Sequence, residues 1–100
     1  TLAILSMGRR DVSYDIEMPR PLAWQHEDAG DAPQPAPAGW RIAKLNDQHA
    51  YLEVAPSDPL RVGDLVGCGI SHPCTTFDKW QLLMEVDDAY DVVGGLRSFF

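Results

Sequence analysis

Long apolar runs, basic residues and paired cysteines are all scarce in this sequence, and each scarcity removes a class of function. No apolar stretch approaches the ~20 residues that a membrane-spanning helix needs, so no membrane partner is expected. The apolar opening at residues 1–7 is short, with no basic segment before it and no small-residue cleavage site, so it does not read as a signal peptide. Eight lysines and arginines stand against fifteen aspartates and glutamates, a net charge of −7. Such a chain cannot release many phosphate counterions, which argues against nucleic acid as a partner. The only two cysteines, Cys68 and Cys74, do not make a disulfide framework. On one extended strand they would lie roughly 20 Å apart at ~3.3 Å per residue. A disulfide needs Cα atoms within about 7 Å, so the chain would have to fold back between them. Both are read as reduced, which points to the cytoplasm. Phosphate loops, nucleophile triads and dinucleotide fingerprints are also missing.

What is present suits one small soluble domain: 100 residues, 45% hydrophobic and 23% charged. The chain does not open on Met and starts inside a strand-like run, as a piece of a longer protein would. Leu2, Ala3, Ile4 and Leu5 form a short apolar strand. Val12, Tyr14 and Ile16 then alternate with Asp11, Ser13, Asp15 and Glu17, the period of a half-buried strand. A hairpin over residues 1–17, turning near Gly8 and ended by Pro19 and Pro21, is the simplest arrangement. Residues 27–39, EDAGDAPQPAPAG, hold no large apolar side chain and are expected to be a flexible surface loop, a tolerated insertion rather than a lid. Residues 40–45 and 49–54 read as strands around the Asn46-Asp47 turn, with His49, Tyr51 and Glu53 on the polar face. A second turn at residues 56–59 leads into an extended, glycine-interrupted run over 62–70. Residues 75–80 suit one helical turn with Thr75 as N-cap. Residues 81–86 and 90–100 read as two more strands joined through Asp87-Asp88. The pattern predicts an all-β domain, a small β-sandwich or barrel with at most one short helical turn.

The tetrapeptide Ser71-His72-Pro73-Cys74 concentrates the chemistry. On an extended segment, residues two apart share a side, so the His72 imidazole and the Cys74 sulfur would converge, with Pro73 stiffening the presentation. Nitrogen with thiolate sulfur suits zinc better than magnesium or calcium. Two ligands are too few for a closed structural zinc and would suit an open site. The alternative is a buried Cys and a hydrogen-bonded His at a strand end. His49 is the second candidate, as a third ligand, an outer partner or a proton relay, against the plainer reading of a lone surface histidine. His26, beside the Pro/Ala stretch, has no evident partner. Cys68, between two glycines, reads as a small buried apolar residue. Arg9-Arg10 reads as a solvated turn rather than an anion site.

Three stretches carry a resemblance to a known family. Residues 61–100, RVGDLVGCGISHPCTTFDKWQLLMEVDDAYDVVGGLRSFF, resemble the end of bacterial D-serine dehydratases, amino acid deaminases and low-specificity D-threonine aldolases. GRRDVSYDIEMP at residues 8–19 and LNDQHAYLEV at residues 45–54 resemble the same C-terminal domain. The resemblance implies a β-domain, residues 1–100, that follows a pyridoxal-phosphate barrel of the alanine-racemase-like kind, a barrel this chain does not contain. It places the metal-binding His-X-Cys on His72 and Cys74 and brings Gln48-His49 near the active site. Cysteine at the second position leans toward a zinc-dependent dehydratase, since thiolate is a poor partner for manganese or magnesium. Neither Lys44 nor Lys79 sits in a matching cofactor motif. The implied function is a share in a lyase acting on D-β-hydroxy amino acids. Pyridoxal phosphate would be the electron sink and the metal a Lewis acid on the substrate hydroxyl, for D-serine dehydration or D-threonine retro-aldol cleavage. The fragment alone would be inactive, and the whole protein would be a homodimer whose barrel comes from the same or a neighbouring subunit. The competing reading is a non-catalytic β-domain for barrel docking or dimerisation.

Overall fold

Short runs of alternating or apolar residues lie between glycine, proline and aspartate turns, and the described residues form eight strands and one helical turn. The computed structural model describes residues 1–27 and 32–99. In order these are β1 (Leu2–Leu5), β2 (Arg20–Gln25), β3 (Gln34–Pro35), β4 (Arg41–Leu45), β5 (Ala50–Glu53), β6 (Leu65–Gly69), α1 (Cys74–Phe77), β7 (Leu82–Val86) and β8 (Val92–Arg97). They form three small sheets, ordered β1-β5-β4, β3-β2-β6 and β7-β8. The all-β expectation holds, including its limit of one helical turn.

The first sheet holds the core. In β4 strict alternation would put Ile42 and Leu45 on opposite faces. An irregularity between Ile42 and Lys44 inserts Ala43, so that Ile42 pairs with Leu52 and Leu45 with Ala50. Ile42, Leu45, Ala50 and Leu52 are thereby all buried together with Trp40. Burying a leucine fully contributes about 1.5–3 kcal/mol, which makes Leu45 and Leu52, both essentially inaccessible, the anchors of the domain. The Trp40 indole packs 6.2 Å from the Trp24 ring, joining the first sheet to the second. Its N–H donates to Asp58 Oδ2 at 2.7 Å, so the one polar atom of a buried ring is satisfied.

The expected hairpin over residues 1–17 does not form. β1 pairs instead with β5, Ala3 opposite Leu52 and Leu5 opposite Ala50, because that face of β5 offers the apolar core that residues 11–17 lack. Residues 11–17 carry no strand and run as turns and bends. Pro19 and Pro21 do not stop the sheet either. β2 begins at Arg20 and tolerates Pro21 where the register shifts between Pro21 and Ala23. Of the Pro/Ala stretch, residues 28–31 lie outside the described residues. Gln34 and Pro35 pair with Trp24 and Ala23, and the Ala36 N–H donates to the Leu22 carbonyl at 2.9 Å.

Close approach of backbone to backbone requires glycine at position 8. A Cβ on Gly8 would lie under 3.0 Å from the backbone of Asp47 and Gln48. That intimacy lets the loop after β1 dock on the β4–β5 turn, with Arg9 N–H donating to Asn46 O at 2.9 Å and Arg10 N–H to Asp47 O at 3.0 Å. Gly67 lies beneath Tyr90, whose hydroxyl would be 2.8 Å from an added Cβ. Tyr90 itself turns the β7–β8 hairpin at φ 67, a left-handed conformation unusual for an aromatic residue. The helix also departs from expectation. It spans Cys74–Phe77 with Pro73, at φ −61 and ψ −30, in the capping position and no side-chain cap. The proline ring already holds a helical φ, so the turn starts ahead of Thr75.

Candidate functional site

The polar residues of the stretch 11–17 have no strand to join, and they spend their hydrogen bonds on the segment around α1. The Ser13 N–H donates to Thr76 Oγ1 at 2.9 Å, a buried contact between residues 63 apart in sequence. The Glu17 N–H donates to Ser71 Oγ at 3.2 Å, and the Trp80 indole N–H to the Asp11 carbonyl at 2.7 Å. Between these tethers, Asp15 Oδ2 lies 2.7 Å from His72 Nδ1. Thr75 Oγ1 reaches Asp15 Oδ1 at 3.4 Å and the His72 carbonyl at 3.3 Å. The hydrogen bond from His72 holds the Asp15 carboxyl below its ordinary 3.8, against an opposing push from desolvation.

Cys74 opens α1 with an exposed, free thiol. The extended geometry expected to make His72 and Cys74 converge is absent, because Pro73 is helical rather than extended. His72 and Cys74 instead flank the start of a helical turn. Among the described residues, no group of three or more His, Cys, Asp or Glu is placed to hold a metal ion. His49 therefore does not close a three-ligand set with them. It is exposed and lies in the β4–β5 turn, ahead of β5 rather than on its polar face, and its carbonyl accepts from Asn46 N–H at 2.8 Å. Its turn is the one on which the loop after β1 docks, so the stretches around Gly8 and Gln48-His49 are neighbours, and the former continues to Asp15.

The donor chemistry of His72 and Cys74 fits zinc as a half-site. Asp15 occupies Nδ1, which leaves Nε2 as the imidazole donor, and an exposed thiol is the sulfur donor zinc prefers. The chain's two lysines are both engaged, Lys44 over the Tyr51 ring at 5.7 Å and Lys79 with the Thr75 carbonyl and Asp78.

Elsewhere, His26 does have a partner, contrary to its sequence reading. Its Nδ1 lies 2.7 Å from Oδ2 of the almost wholly buried Asp64, with Trp24 edge-on at 4.8 Å. Burial pushes the Asp64 carboxyl up, but the Arg61 N–H, His26 and the Glu27 N–H outweigh it and hold the group below 3.8. Cys68 is half-buried in β6, and loss of solvent raises its thiol from 9.0 to about 11. That is the behaviour of an inert packing residue.

Asp15 escaped the sequence reading because its alternation with Val12, Tyr14 and Ile16 imitates a strand's solvent face. Nothing local marks it as the partner of a residue 57 positions away. Thr76 was likewise hidden inside the helical turn expected over residues 75–80.

Fold and site together define a small all-β domain whose polar chemistry gathers where one loop crosses the start of a short helix. Residues 1–86 match the family model described as a putative serine dehydratase domain, and the chain belongs to this D-serine dehydratase family. The match includes Asp15, His49, His72 and Cys74. No curated protein matches the chain.

Proposed function

We propose that this domain carries half of the metal site of a pyridoxal-phosphate-dependent lyase acting on D-β-hydroxy amino acids. The observations that carry the reading are the His72 imidazole with Nδ1 taken by Asp15, which leaves Nε2 as donor, and the exposed Cys74 thiol two residues on, at the start of α1. His72 Nε2 and Cys74 Sγ would hold zinc, with the remaining positions open to groups outside this chain and to substrate. Zinc bound there would supply Lewis-acid polarisation of the substrate β-hydroxyl. Asp15, Thr75 and the tethers at Ser13 and Glu17 hold the imidazole in place before substrate arrives, so no reorganisation is needed on binding. D-serine dehydration and D-threonine cleavage both require this one contact at the hydroxyl. With both lysines engaged, pyridoxal phosphate belongs to a barrel in the same or a neighbouring subunit, and the whole enzyme is a cytoplasmic homodimer.

A second reading, a domain that serves docking alone, is favoured by the β7–β8 ribbon, which leaves Leu82, Met84, Val92 and Val93 largely exposed. Zinc content and turnover of D-serine and D-threonine by the full-length protein separate the two. Cys74→Ala should lose zinc and turnover with an unchanged circular dichroism spectrum. His49→Ala should cost less, about 10–100-fold as for an outer partner. Normal zinc and normal turnover in Cys74→Ala would leave the docking reading standing.

A further inference from the structure

We propose that Asp15 is a positioning residue that fixes the tautomer of His72, holding the proton on Nδ1 and presenting the Nε2 lone pair outward. The role of Asp15 rests on the metal reading above for its purpose, while the tautomer itself is measured without metal.

A neutral imidazole has one N–H, and an ionised carboxylate can only accept. With Asp15 Oδ2 at 2.7 Å from Nδ1, the proton must sit on Nδ1, and Nε2 is left with the lone pair that a metal or an acidic substrate proton requires. An exposed ion pair is ordinarily too mobile to impose such a choice. This one is bracketed. The backbone two residues before Asp15 is tied to Thr76, and the backbone two residues after it is tied to Ser71, on either side of His72. The Ser13–Thr76 bond is buried, so one end of the bracket is shielded from water. Thr75 Oγ1 spans the pair, within 3.4 Å of Asp15 Oδ1 and 3.3 Å of the His72 carbonyl. Carboxylate, imidazole and the backbone under both are thus held as a unit.

The test uses the full-length protein with 15N-labelled histidine, stripped of metal, at about pH 8, with the His72 signal identified by its loss in His72→Gln. Wild type should show the Nδ1–H tautomer. Asp15→Ala should lose that preference, and Asp15→Glu should recover part of it. On titration with zinc, Asp15→Ala should bind about 10–100-fold more weakly than wild type, with Asp15→Glu in between. Unchanged circular dichroism and melting would exclude simple unfolding as the cause. If wild type carries the proton on Nε2, or if Asp15→Ala leaves the tautomer unchanged, the proposal is overturned. It is also overturned if His72→Gln loses zinc while Asp15→Ala keeps wild-type affinity. If His72→Gln and Cys74→Ala both keep wild-type zinc, the metal reading fails, and the tautomer measurement alone decides the role of Asp15.

Discussion

Replacing Gly8 with alanine should unseat the loop that organises the candidate site. The added Cβ would strike three backbone atoms, Asp47 C and O and Gln48 N, none of which can swing aside as a side chain would. Reaching ordinary carbon contact requires the two segments to part by roughly 1 Å. The Arg9–Asn46 and Arg10–Asp47 hydrogen bonds, now 2.9 and 3.0 Å, would then be stretched beyond hydrogen-bonding range. Each such bond contributes about 1 kcal/mol net, and Gly8 is buried, so the loss should total about 2–4 kcal/mol. For a domain of this size about 1 kcal/mol moves Tm by ~4–8 °C, so a fall of at least ~8 °C is expected. Gly39→Ala is the control, since nothing lies within 4 Å of its added Cβ. Thermal and urea unfolding of both variants, followed by circular dichroism, gives the comparison. Should Gly8→Ala melt with Gly39→Ala and wild type, the close approach of loop and turn would be wrong. The path from Gly8 to Asp15 would lose its anchor with it.

Two further outcomes concern titrating groups away from the candidate site. Cys68, raised from 9.0 to about 11, should carry roughly 100-fold less thiolate than an ordinary thiol below pH 9. Iodoacetamide labelling followed by peptide mass analysis should therefore mark the exposed Cys74 well before Cys68, and equal rates would contradict the burial of β6. By linkage, the neutral Cys68 thiol favours the folded state fully below pH 9, and that advantage fades as pH rises toward 11. Asp64 works in the opposite sense. Its folded carboxyl titrates below 3.8, so its contribution is present above that pH and is lost as pH falls through the folded value. A 13C titration of the Asp64 carboxyl should place its midpoint below 3.8, and a midpoint above it would rule out the hydrogen bonds from Arg61 and His26 as the governing contacts.

Local residue order was enough to specify the all-β character, the turn at Asn46-Asp47, the β7–β8 hairpin and the interest of His72 and Cys74. Each depends on near neighbours: period-two alternation, turn-forming side chains, and a histidine and a cysteine two residues apart. The partners of those elements depend on positions far apart in the chain. β1 found β5 rather than residues 11–17, because burial on Leu52 and Ala50 outweighs the entropy saved by a short hairpin. The shift at Ala43 that turns both Ile42 and Leu45 inward exists only because the core demands both. Pro73 was legible as a stiffener, yet whether it stiffened an extended or a helical path was settled by what α1 packs against, with Thr76 buried under Ser13. Asp15 is the clearest case. As a letter it is one of fifteen acids, and only the crossing of two segments 57 residues apart makes it the partner of His72. A hydrogen bond of 2.7 Å needs positions in space, and sequence periodicity describes only which face a residue occupies.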